Sequence, residues 1–78
     1  MLDDILQNNE FFKKWLKHKH PADQPLSSDQ AKKVWDKLKS MGMKPRLDPG
    51  HSSGAWKEPH INVEGTSIHI PVEKGFTP

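Results

Sequence analysis

The chain contains no cysteine, so neither a disulfide framework nor a thiolate zinc site can hold it together. No apolar run approaches the ~18 residues that a membrane span requires, and the first residues lack the basic and apolar stretch of a secretory leader. The formal charge of +2 is too small by itself to argue for nucleic-acid binding. No internal repeat or low-complexity tract divides the 78 residues, so residues 1–78 are expected to form one small domain around one core. A domain of this size buries a modest share of its surface and is marginal when it stands alone. Together these absences point to a soluble domain, or a piece of a longer chain, that folds without an oxidising compartment.

Charge is unevenly spread. The stretch "KKWLKHKH" (residues 13–20) carries Lys13, Lys14, Lys17, Lys19 and two histidines, with no acid among them. From Met43 onward, four basic residues offset four acidic ones. A local basic patch fits a polyanionic partner; a solvated helix face has the same composition.

The residue pattern predicts an α+β domain, with two N-terminal helices packed on an antiparallel sheet of about three strands. Leu2, Ile5, Leu6, Phe12, Trp15 and Leu16 follow helical spacing over residues 2–19, with Asn8-Asn9 as a point where that helix can bend or split. Pro21 ends it, since a proline turns the preceding residue away from helix. The second helix, over residues 28–41, carries a capping box of Ser27 and Gln30 and an apolar stripe of Ala31, Val34, Trp35, Leu38 and Met41. Gly42 suits the position just past its end. Strands are predicted over residues 43–47, 60–63 and 68–72. Pro45 favours an edge for the first of them, and residues 48–59 are too rich in Pro, Gly and Ser for a regular element. Phe76, in the tail, is placed to pack back.

The last two strands carry the candidate site. Pairing Val63 with Ile68 and Ile61 with Ile70 turns all the branched apolar side chains to the helices. His60, Asn62 and His69 then share the opposite face, with Asn62 across from His69 and His60 on the diagonal. His51 lies in the glycine-rich loop beside Trp56. Such outward faces normally carry Lys, Glu, Thr or Ser, so two histidines and an asparagine stand out.

Imidazoles donate and accept protons near neutral pH. For RNA, one would activate the ribose 2′-hydroxyl and another would protonate the leaving 5′-oxygen. Arg46 or Lys57 can neutralise the phosphate, and Trp56 can stack a base. Three histidines can also hold zinc with an open position, but the eight-residue gaps between them match no strong metal signature. Histidines that merely solvate a face or meet another protein remain a further reading. Asp48, in "DPG", is ordinary turn chemistry, and His18 and His20 are assigned to the basic helix end, outside the site.

The order "AKKVWDKLKSMGMKP", "DPGHSSG" with Trp56, then "PHINV" and "IHIPV" resembles small bacterial ribonuclease toxin domains at the C-termini of secreted polymorphic toxins. Residues 31–75 also look like the HicA ribonuclease family, through "GM" (Gly42 and Met43), "GHSS" (residues 50–53) and "IPV" (residues 70–72). Here His51 follows Gly50 directly, without the serine which that family places between them. The resemblance implies an endoribonuclease acting in the cytoplasm, delivered as part of a larger toxin and blocked by a cognate immunity or antitoxin protein.

The expected function is therefore metal-independent RNA cleavage without a cofactor. His60 and His69 would be the acid–base residues and His51 a third participant. Arg46, Trp56, Lys57 and Asn62 would bind substrate, with Lys13, Lys14, Lys17 and Lys19 as a nucleic-acid patch. Alanine at His60 or His69 is expected to abolish cleavage and leave the fold intact. The alternatives are a non-catalytic nucleic-acid-binding or adaptor module, and a phage or structural accessory protein whose histidines form an interface.

Overall fold

The helix expected over residues 2–19 breaks at Asn8. In the computed structural model, which describes residues 2–50, 52 and 56–78, Asn8 has an extended backbone, and its side-chain oxygen accepts from the N–H groups of Glu10 and Phe11 at 3.0 and 3.1 Å. Asparagine satisfies the orphan donors of a helix start in this way. Helix α1 (Leu2–Leu6) therefore stops and α2 (Asn9–Lys17) begins at the asparagine pair. The second segment also ends before residue 19, because His18 is already extended, with a ψ of 148°. The described residues thus form three helices where two were expected.

Helix α3 (Ser28–Ser40) starts on the capping box as predicted: Ser27 Oγ accepts from the Gln30 N–H at 3.2 Å, and Gln30 Oε1 accepts from the Ser27 N–H at 3.1 Å. Its buried face is Ala31, Val34 and Leu38, while Trp35 is half-buried against Phe76 with ring centroids 6.3 Å apart. Helix α2 contributes Phe12 and Leu16, one turn apart, to the same core. Lys33 ties α3 to α1 through Asp3 at 3.0 Å, but both side chains are exposed, so the pair adds little.

The sheet has strand order β1 (Pro45–Asp48), β2 (His60–Val63), β3 (His69–Pro71), antiparallel throughout. The domain is accordingly α+β, with its helices mostly N-terminal. Ile61 pairs with Ile70 and Asn62 with His69, which is the register that the apolar alternation predicts. Pro45 opens an edge strand, where its missing N–H costs no ladder bond. Ile61, Val63, Ile70 and Val72 are buried with the helices' apolar faces. The outer edge of β3 is closed by Leu26, whose N–H donates to the Pro71 carbonyl and whose carbonyl accepts from Glu73, both at 2.9 Å. Ser28, through its side chain and its N–H, holds the Glu73 carboxyl below the usual carboxylate range.

The face turned away from the helices carries two rows across the strands, Arg46–Asn62–His69 and Asp48–His60–Pro71. The segment after β1 folds back over this face. Its first turn is fixed by the Gly50 N–H donating to Asp48 Oδ1 at 2.9 Å. Gly50 has a φ of +115°, and a Cβ there would collide with the Lys57 carbonyl oxygen. Only glycine lets the two ends of the loop come so close.

Gly42 provides a contrast, with a φ of +77° but open space around it. Gly42→Ala should cost about 1–2 kcal/mol of backbone strain and leave the Trp56 environment unchanged. Gly50→Ala should cost more and also shift the fluorescence of Trp56. Denaturant unfolding followed by tryptophan emission separates the two; equal losses with no spectral difference would contradict the loop contact.

Candidate active site

Three rings form a triangle on the outer face of the sheet. Trp56 lies 5.1 Å from His60 and 5.2 Å from His69, and the two imidazoles are stacked at 5.3 Å. Each imidazole is oriented by a backbone carbonyl two residues upstream. His60 Nδ1 donates to the Glu58 carbonyl at 2.9 Å, and His69 Nδ1 donates to the Ser67 carbonyl at 2.8 Å. A carbonyl only accepts, so the Nδ1 proton is fixed and Nε2 carries the lone pair of the neutral ring.

The two rings differ in access. His60 is 0 % exposed and His69 is half-buried. The sequence pattern turns both outward correctly, but the loop carrying Trp56 then covers His60. His60 Nε2 stands 3.8 Å from Asp48 Oδ2, which also accepts from Asn62 Nδ2 at 3.3 Å. Asp48 therefore does more than make its turn: its carboxylate joins β1, β2 and the loop. Asn62 Oδ1 is buried and has no hydrogen-bond partner among the described residues.

Beside the ring triangle is a cavity of about 620 Å³ between the end of α2 and the β2–β3 turn. Its walls are Lys17, His18, Lys19 and His20 on the helix side and residues 65–69 on the sheet side, with Trp56 closing a third side and Leu16 and Ile68 supplying the apolar lining. No carboxylate lines it among the described residues. A site with two lysines, three imidazoles and an indole suits an anionic ligand that has a flat ring.

Of the expected site residues, His69, Trp56, Lys17 and Lys19 come together at this cavity. His60 and Asn62 lie behind it. Arg46 is exposed, one strand beyond Asn62 in the same row, and Lys57 is exposed on the loop; neither lines the cavity. Lys13 borders an adjoining apolar groove of about 230 Å³, and Lys14 lines neither. His51 lies outside the described residues. Among the described residues no three His, Cys, Asp or Glu side chains group to hold a metal ion, and no helix is long and apolar enough to cross a membrane.

The sequence reading left His18 and His20 at the helix end and outside the site; both line this cavity. They line the cavity because the chain leaves α2 at Lys17 and runs past the β2–β3 turn. No local pattern in the sequence signals that approach. His20 packs on Trp15, with ring centroids 4.5 Å apart, and its Nε2 is buried without a hydrogen-bond partner among the described residues. Burial pushes the His20 imidazole below its usual range, the Trp15 and Leu16 carbonyls pull it partly back, and His18 lowers it further.

Comparison with family models, with curated proteins and with solved structures finds no match to this chain, so its chemistry is read from its own residues.

The burial of His60 overturns the expectation that alanine there leaves the fold intact. His60→Ala should cost about 2–4 kcal/mol, combining the cavity with the lost hydrogen bond, as read by urea unfolding at neutral pH. A loss below about 0.5 kcal/mol would contradict the packing. His20 predicts a pH effect. Its folded pKa is depressed, so below the imidazole range near 6.5 the unfolded chain binds more protons and stability falls as pH drops. His20→Gln should flatten the stability change between neutral and mildly acidic pH; an unchanged slope would remove His20 as its source.

Proposed function

We propose that the chain is a metal-independent endoribonuclease, with the cavity as its site and His69 as an acid–base residue acting directly on RNA. The observation that carries this reading is the cavity lining itself: three imidazoles, two lysines and an indole, with no described carboxylate. Lysines there attract phosphate, Trp56 offers a stacking face to an unpaired base, and His69 offers a basic Nε2 whose opposite nitrogen is already satisfied. RNA brings its own nucleophile, so no metal or cofactor is required. His60 then serves as a positioning residue, holding His69 and Trp56 from beneath. The toxin setting, with an immunity or antitoxin protein that blocks the site, is supported by the sequence resemblance alone.

A second reading has a specific observation in its favour. With His60 fully covered, only one imidazole of the expected sheet-face pair can reach a ligand. A non-catalytic nucleic-acid-binding module would use the same lysines and Trp56, and it would show salt-dependent binding with no product.

Incubation of the purified protein with total RNA and a tRNA mixture, with and without EDTA, separates these. The expected result is discrete cleavage that survives EDTA and falls by about 10²- to 10⁴-fold in His69→Ala. Undiminished cleavage by His69→Ala, or cleavage abolished by EDTA, would overturn the assignment. RNA binding without cleavage would establish the second reading.

A further inference from the structure

Cleavage through the ribose 2′-hydroxyl needs proton transfer at two places. One group removes the 2′ proton as O2′ attacks phosphorus, and another protonates the 5′-oxygen as it departs on the opposite side. His69 can occupy one of these positions. His60 cannot occupy the other, since it is 0 % exposed beneath Trp56 and His69. The remaining described imidazoles at the cavity are His18 and His20. The His20 ring is packed on Trp15 with Nε2 buried, so a ligand in the cavity does not reach that nitrogen.

His18 is placed differently. Its backbone N–H is tied to the Trp15 carbonyl at 3.2 Å, which fixes its position at the end of α2. The residue is exposed, and its side chain makes no hydrogen bond or ring contact among the described residues. It lines the cavity from the helix side, while His69 lines it from the sheet side.

We propose that His18 is the second acid–base residue of the site, working across the cavity from His69. This rests on the reading of the cavity as an RNA-cleaving site. One imidazole accepts the 2′-hydroxyl proton as the O2′–P bond forms. The P–O5′ bond breaks, and the other ring, in its imidazolium form, gives its proton to the 5′-oxygen. The products are a 2′,3′-cyclic phosphate and a 5′-hydroxyl, and the two histidines reset by exchanging protons with water. Lys17 and Lys19, on either side of His18 in the chain, hold the charge of the pentavalent phosphate. Among the described residues, the charged and titratable groups that line the cavity with His18 are Lys17, Lys19 and His20 on its own segment and His69 opposite.

The test is kcat/KM for a fluorescently labelled single-stranded RNA oligonucleotide containing all four bases, measured from about pH 5 to 9, for the native protein, His18→Ala and His69→Ala. A bell-shaped native profile is expected, with His18→Ala reduced about 10²- to 10⁴-fold and missing one limb of the bell. Its unfolding midpoint should be unchanged, because the side chain is exposed. If His18→Ala stays within about threefold of native while His69→Ala is inactive, the role of His18 is overturned and the ribonuclease reading stands. A large loss that keeps both limbs would also overturn it, since a merely positioning or binding residue behaves that way. Absence of RNA cleavage by the native protein would remove the ribonuclease reading and this proposal together.

Discussion

The hydrogen bond from His60 Nδ1 to the Glu58 carbonyl decides what the outer face of this sheet can be. An imidazole with no exposure has to satisfy its N–H inside the protein or lose a few kcal/mol. The acceptor lies two residues upstream, in the stretch that also brings Trp56 beside the ring, so one segment both orients and covers His60. The same fold-back places Trp56 beside both imidazoles and brings Gly50 close to the Lys57 carbonyl. The outer face thus becomes a small second layer, in which His60 is covered and His69 is left half-buried at the cavity.

Charge is sorted to match. The Asp48 carboxylate lies behind the rings, accepting from Gly50 and Asn62 and standing beside His60. Glu58 points to Lys74 at the surface, and Glu73 is held at the start of α3 by Ser28. Lys17 and Lys19 are left facing a cavity without an opposing described carboxylate. A net charge of only +2 therefore conceals a locally cationic site, which is why composition alone understates the pull on an anion.

Much of the scaffold was readable from local rules. The register of β2 and β3 follows from side-chain alternation, which places Asn62 opposite His69 with no tertiary information. The capping box at Ser27 and the weak point at Asn8-Asn9 are equally local. The site was less readable. Whether His60 is exposed depends on a loop of irregular composition returning over it. Whether His18 and His20 belong to the site depends on where the end of α2 settles against a turn far along the chain. Alternation tells which face a side chain takes, but it does not tell what covers that face. Arg46 shows the same limit: it lies in the correct row, yet one strand too far from the cavity.

The closure at Leu26 bears on how the chain reaches this state during synthesis. The linker before α3 is pinned by Pro71 and Glu73, the first turn of α3 takes the Glu73 carboxylate, and Trp35 is covered by Phe76. The helices thus precede, in the chain, the residues that complete their packing. Until residues 71–76 have left the exit tunnel, the α3 apolar stripe is held without its cover. The native core therefore closes only once those residues have emerged. The cavity shares this timing, since β3 and the turn before it supply its sheet wall: the lysine-rich end of α2 emerges well before the histidine it is to face.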